Sequence, residues 1–244
     1  LDPRGELGIR DAPDATLQEA VRLCHGVPRA LEAVAAILAA DRTFTLVELL
    51  GNRSFFDEKV VENLIAEHFR RLGDAERRVM EALAVFDAPV PLDALDSVLK
   101  PFFPKMDVRA AINRLLRTFS VSRLEKLQNG GVSGSSESDG SDRRLKEEVL
   151  YTLHPLDRRF AYAQIPDKRS FRKGLPWRSP YTRRELHLRS ANHFLRDGPP
   201  PEKRVRIEDI KGLLAAIGHF VQAGDYDDAY RILETIDFDC LWMW

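Results

Sequence analysis

The sequence has little cysteine, almost no net charge and no long apolar run. Its two cysteines, Cys24 and Cys240, are far apart and belong to no CxxC or Cys/His cluster, which argues against a disulfide framework and a zinc site. Lysine plus arginine (37) nearly balances aspartate plus glutamate (38), so no global charge attracts nucleic acid or acidic lipid. No apolar run approaches the roughly 18 residues of a membrane helix. We therefore expect no membrane partner and a cytoplasmic location.

A phosphate-binding loop is also missing. Nothing matches GxxxxGK[ST], and the glycine-rich stretch NGGVSGSS has no lysine and no helix after it. We therefore expect no catalysis by this chain itself. The sequence begins without methionine and ends on the apolar CLWMW, which predicts that it is a piece of a longer polypeptide.

Helical periodicity runs through most of the 244 residues. Apolar spacing predicts a helix hairpin over residues 17–38, a helical turn near 46–50, a helix capped by Asp57, a next helix capped by Asp74, and two more helices before residue 117. Around Val121 and Tyr151 the spacing of apolar residues changes from a helical period to a period of two. This alternation predicts two strands. The Gly/Ser/acidic stretch between them, residues 129–146, is predicted to be a flexible tip.

Further helices are predicted from about Pro155 and in ELHLRSANHFLR, followed by a helix, a turn at Gly224 and a last helix. We expect Tyr226, Ala229 and Tyr230 to lie where these last two helices approach each other. The segment is similar to one tetratricopeptide-type repeat, whose exposed face requires further repeats downstream.

The fold class predicted from these patterns is mainly α. It comprises a small helical domain (residues 1–56), a winged-helix domain with a β-hairpin wing (57–166), and a linker followed by tetratricopeptide-like α-helical hairpins (167–244). The linker carries the basic and aromatic stretch 168–184, for which a solvated connection is favoured over nucleic-acid contact.

The stretch CHGVPRALE interrupts the first hairpin. Gly26 suits the left-handed position after a helix, and Pro28 suits the first turn of the next helix. Two interpretations stay open. The break is either an ordinary helix hairpin without a ligand, or a device that presents a proline and a helix N-terminus to a bound nucleotide.

Three stretches occur in an order that is typical of one family. CHGVPRALE, GDAERRVMEALAVFDAPVPLDAL and LHPLDRR resemble the Gly-x-Pro motif, the start of the winged helix and the Met-His-Asp motif of NB-ARC and related STAND nucleotide switches, and helical repeats follow. The resemblance covers nearly the whole chain. It implies a regulatory module of an ATP/ADP-dependent signalling switch, a P-loop domain upstream that holds nucleotide and magnesium, and a homo-oligomer on activation.

The resemblance also implies a nucleotide-binding set. Gly26 and Pro28 would lie at the base or sugar of ADP or ATP, and His154 would reach the β-phosphate of ADP. The family's aspartate after that histidine is Pro155 here, and proline cannot make the aspartate's orienting hydrogen bonds. The alternative for His154 is a histidine at a strand end that bonds to a backbone carbonyl.

A winged-helix transcription regulator is the alternative function. Its DNA-contacting residues would lie on the third helix of the unit and would enter the major groove: Arg109, Asn113, Arg114 and Arg117. The balanced net charge argues against this partner. The remaining histidines share no metal-like spacing, and no site is assigned to them: His25, His68, His187, His193 and His219.

Overall fold

The computed structural model describes residues 2, 5–127, 147–167, 181–196, 198, 200, 203–204 and 207–236. Over these residues the protein is mainly α-helical, with one two-stranded sheet. The predicted flexible tip at 129–146, positions 168–180 of the basic stretch and the C-terminal CLWMW lie outside the described residues.

The first helices form one group that is joined by short connections. A single turn of 3-10 helix at Arg53–Phe56 precedes the last of them. The group consists of α1 (Asp14–Leu23), α2 (Pro28–Ala40), α3 (Leu46–Gly51) and α4 (Val60–Arg71).

Three helices, two strands and a further helix follow: α5 (Asp74–Val85), α6 (Leu92–Leu99), α7 (Val108–Arg117), β1 (Val121–Leu127), β2 (Glu147–Leu153) and α8 (Pro155–Gln164). The last group comprises α9 (Arg183–Arg196), α10 (Ile207–Ala223) and α11 (Tyr226–Ile236). The predicted helices and strands are all present, and most begin within two residues of the expected positions.

Two predicted helix caps are wrong. Asp57 does not cap α4, because the buried Phe56 ends a 3-10 turn before it and the α-helix begins only at Val60. Asp74 is the first residue of α5 and not its cap, a position that Gly73 occupies. The carboxylate of Asp74 still favours the helix, because negative charge in the first turn opposes the positive end of the helix dipole.

The apolar interior is divided among the groups. The first core lies between α1, α2, α3 and α4, and α2 is buried along most of its length, from Ala30 to Leu38. The larger core joins α4 to α5, α6, α7, α8, α9 and both strands. A small cluster that includes Ala191, Phe220 and Ala229 joins α9, α10 and α11.

The sheet is antiparallel, and its register pairs Val121 with Leu153 at one end and Leu127 with Glu147 at the other. Val121 and Leu153 are buried, whereas the middle of β1 is exposed. Outside the hairpin, Val90 and Tyr151 exchange backbone hydrogen bonds in both directions, at 3.0 and 2.8 Å. The loop between α5 and α6 therefore extends the pairing at β2.

The prediction for α11 was partly wrong. Ala229 is buried against α9 and α10, as expected, but the side chains of Tyr226 and Tyr230 are 67% and 61% exposed. The helix packs through Ala229 and Ile236, which lie seven residues apart on one face. With this face of α11 packed inward, both tyrosines lie on its exposed side.

Among the described residues, no single helix is long and apolar enough to cross a membrane. Helices α1 and α2 reach that length and composition only together, as a pair bent by 119°.

Candidate functional site

The break between α1 and α2 uses two consecutive residues with positive φ, His25 at 52° and Gly26 at 68°. The Gly26 N–H donates to the carbonyl of Val21 at 2.9 Å, which closes the end of α1. Val27 is extended, and Pro28 is the first residue of α2. The chain therefore reverses into the buried helix α2 within four residues.

The break faces solvent although the helix after it is buried. Residues 25–28 are exposed, whereas Arg29 is only 8% exposed and most of α2 after it is buried. The ring of Pro28 is thus held at the surface by a helix that cannot move independently of the core. Such an arrangement is suited to contact with an apolar part of a ligand.

We predict opposite effects of one substitution at two glycines. Gly26→Ala should lower the free energy of unfolding by about 1 kcal/mol, because an alanine is strained at positive φ while its Cβ would meet nothing within 4 Å. The control, Gly218→Ala, also meets nothing within 4 Å and lies inside α10, where alanine should add about 0.5–1 kcal/mol. Urea unfolding measures both. If both variants change the free energy of unfolding in the same direction, the backbone explanation is wrong.

His154 connects β2 to α8 and is the N-cap residue of that helix. Its Nδ1 accepts a hydrogen bond from the Leu156 N–H at 3.3 Å. In the neutral ring this assigns the proton to Nε2, which is then available as a donor. The side chain is 44% exposed. His154 therefore bonds to a backbone N–H through Nδ1, and its side chain is partly accessible.

A buried ion pair joins the two segments. Arg29 Nη2 donates to Oδ2 of Asp157 across 128 residues of sequence, and Arg29 Nη1 donates to Glu32 at 2.8 Å. Asp157 is fully buried, and its Oδ2 lies 3.9 Å from Nδ1 of His154. Arg29, which follows Pro28, and Asp157, three residues after His154, are thus in direct contact.

The electrostatics of this pair are dominated by burial. Burial raises the pKa of Asp157 above its ordinary value, and the charge of Arg29 opposes that rise. Nε of Arg29 and Oδ1 of Asp157 are buried and have no hydrogen-bond partner among the described residues. Burial together with the charge of Arg29 lowers the pKa of His68, the buried histidine of α4, to about 4.

Arg29 and Asp157 were missed by the sequence reasoning. Both lie inside the motif-like stretches of the sequence: Arg29 directly follows Pro28, and Asp157 lies three residues after His154. A carboxylate in the first turn of a helix is on its own a common stabilising feature, so neither residue gave a distinct signal. Position 155 is proline, and the carboxylate that lies 3.9 Å from His154 belongs to Asp157.

The four residues of the DNA-binding alternative all lie on α7, which packs against α5, α6 and β1. Arg109, Asn113 and Arg117 are exposed and follow one another at intervals of four residues. Arg114 instead forms an ion pair with Glu76 of α5. Three of the four side chains are thus free to face outward on one stripe of the helix.

Within the described ranges, no group of three or more His, Cys, Asp or Glu side chains is arranged to hold a metal ion. Comparison of the chain with models of known protein families gives no match. Comparison with curated protein sequences gives no match either.

Proposed function

We propose that this chain is the regulatory module of an ATP/ADP-dependent signalling switch of the STAND type. It would close over a nucleotide held by an upstream P-loop domain and couple that nucleotide to a helical-repeat sensor. The observation that carries the proposal is the contact of Arg29 with Asp157, because it joins the segments of Pro28 and His154, which the resemblance assigns to one nucleotide.

The order of elements supports the proposed units. Three helices followed by a hairpin, α5 to β2, is the order of a winged helix, and the pairing of Val90 with Tyr151 adds a short third strand position to the wing. The pair α10 and α11, joined at Gly224 with φ of 71°, is suited to a tetratricopeptide-like hairpin. Further repeats would cover its exposed face.

The site residues fit part of a nucleotide. Pro28 offers an exposed apolar ring for the base or sugar, next to Gly26, and the Nε2–H of His154 would donate to the β-phosphate of ADP. A hydrogen bond from a histidine to a phosphate is worth about 1.5–3 kcal/mol, enough to bias a two-state switch toward its closed form. Most phosphate contacts and the magnesium ion would belong to the P-loop domain, and activation would release a surface for homo-oligomerisation.

Binding of ADP by the chain alone tests this division of labour. Titration calorimetry of residues 1–244 with ADP should show only weak binding, because the triphosphate cradle is missing from the sequence. Tight ADP binding by this chain would contradict the proposal.

The role of His154 is tested in the longer polypeptide that includes the P-loop domain. His154→Ala should weaken ADP binding by about tenfold or more, as expected for the loss of a charge-assisted hydrogen bond, and should raise basal oligomerisation. Lys105→Ala is the control, because that side chain is exposed on the loop before α7 and has no assigned role. An unchanged resting state of the His154 variant would argue against the phosphate contact.

One observation keeps the transcription regulator as a second candidate. The exposed stripe of Arg109, Asn113 and Arg117 has the spacing of a helix that enters a major groove. This function predicts salt-dependent binding to duplex DNA that weakens in Arg109→Gln and Arg117→Gln. A gel-shift assay without binding at low salt would eliminate it.

A further inference from the structure

A cleft lies between the first helical group and the α5–α7 group, and neither Arg29 nor Asp157 lines it. Its volume is about 650 Å³, which is within the range of small-molecule sites. The ends of α2, α4 and α7, the start of α5 and the N-terminal segment line it. The apolar part is formed by Leu7, Ala39, Ala40, Leu72, Leu116 and Phe119.

Most of the charged side chains around the cleft are paired. Four arginines and three carboxylates line it. Arg42 pairs with Glu6, Arg114 with Glu76, and Arg71 with two carboxylates outside the cleft. Arg117 is exposed and forms no ion pair with any residue that the structure describes. Asp2, the third carboxylate, accepts hydrogen bonds from backbone N–H groups of its own segment, so Arg117 is the lining arginine left to bind an anionic group of a ligand.

Phe119 occupies a position that normally selects glycine. Its φ is 55°, and it follows α7 where the Ser120 N–H bonds to Leu115 O and the Phe119 N–H bonds to Leu116 O. This is the hydrogen-bond pattern of a helix end that favours a left-handed glycine. A bulky residue is strained there, yet the phenylalanine ring remains 40% exposed at the cleft. Strain retained at a cleft is a reason to look for a ligand contact.

We propose that this cleft binds a small monoanion with a flat aromatic body. Phe119 would stack on the aromatic body, since offset ring pairs are favourable, and the small apolar side chains of Ala39 and Ala40 line the same cleft. Arg117 would bind the anionic group, because a guanidinium binds carboxylate and sulfonate oxygens through paired N–H donors. The site uses none of the residues proposed for the nucleotide, so it does not depend on the proposed function.

Two probes test the site in the 244-residue chain. 8-Anilinonaphthalene-1-sulfonate carries the aromatic body and one negative charge, and N-phenyl-1-naphthylamine has the same rings without the charge. Fluorescence titration should show about tenfold tighter binding of the sulfonate, as expected for one charge-assisted contact. Amide chemical shifts should change at Ala39, Ala40, Leu72 and residues 116–119.

The variants separate charge from ring. Arg117→Gln should weaken binding of the sulfonate probe by about tenfold and leave binding of the neutral probe unchanged. Phe119→Gly should weaken both probes without lowering the melting temperature, because glycine accepts the positive φ. Lys105→Gln, an exposed cation before α7 that does not line the cleft, is the control and should change neither.

The proposal is overturned if Arg117→Gln binds both probes as the parent does, or if the shifts map to another surface. It is also overturned if Phe119→Gly retains binding while its melting temperature falls, because the ring would then support only the fold. If Phe119→Gly loses both binding and stability, the probe binding of Arg117→Gln decides the test, because replacing this exposed side chain leaves the core intact.

Discussion

Asp157→Ala is expected to lower the free energy of unfolding by about 3–5 kcal/mol, the range for removal of one partner of a buried ion pair. The guanidinium of Arg29 would keep only Glu32 as a partner while remaining buried. Because α2 and α8 belong to different helical groups, the variant should also loosen the contact between them. Urea unfolding followed by circular dichroism measures the first effect, and amide hydrogen exchange in α2 and α8 measures the second.

A double replacement distinguishes an unpaired charge from lost packing. Arg29→Met combined with Asp157→Leu should recover most of the lost stability, because apolar residues of similar volume often replace buried ion pairs without cost. The surface control is Arg231→Ala, which removes an exposed ion pair with Asp228 and should change stability by no more than about 0.5 kcal/mol. If the double variant is as unstable as Asp157→Ala, the ion pair is not the cause.

Acid is expected to destabilise the protein between about pH 6.5 and pH 4. Burial lowers the pKa of His68, His187 and His219 to about 4, from 6.5 in the unfolded chain. The unfolded state therefore binds more protons in this window, and the free energy of unfolding falls as the pH falls. At about 1.4 kcal/mol per pKa unit, each histidine contributes on the order of 3 kcal/mol. The stability is fully present above pH 6.5.

The contacts of His187 and His219 explain why a proton is unfavourable there. Their Nδ1 atoms are 2.9 Å apart, so one ring donates and the other must accept through an unprotonated nitrogen. Nε2 of His187 bonds to the Tyr162 hydroxyl at 3.0 Å. Phe194 stacks on His219, and the positive charge of Arg158 disfavours a second cation nearby. These contacts join α8, α9 and α10, so acid should loosen this junction.

Unfolding in urea at pH 7.0, 5.5 and 4.5 measures the pH dependence. His219→Phe should reduce the loss of stability between pH 7.0 and 4.5 by roughly 2 kcal/mol, less than the full value because the folded state has not finished titrating at pH 4.5. Ile232→Val, in the apolar cluster that also includes Phe194, should lower stability by about 0.5–1.5 kcal/mol at each pH and leave the dependence of stability on pH unchanged. A His219→Phe variant with the slope of the parent would show that this histidine is not responsible.

Only part of the candidate site was readable from the sequence. Gly26, Pro28 and His154 stand out because helix ends require particular backbone angles, and those requirements act between near neighbours in the chain. The partnership of Arg29 with Asp157 is different, because 128 residues separate them. Either residue alone is an ordinary charged side chain near the start of a helix.

The sequence by itself determined the helices, the β-hairpin and the breaks between them, because periodicity, prolines and glycines act over a few residues. Only the tertiary structure decided which face of α11 is buried, which arginines are paired, and that His187 and His219 share one hydrogen bond. Those outcomes depend on the packing of distant segments, where burial changes the free energy of a charge by more than local propensities can.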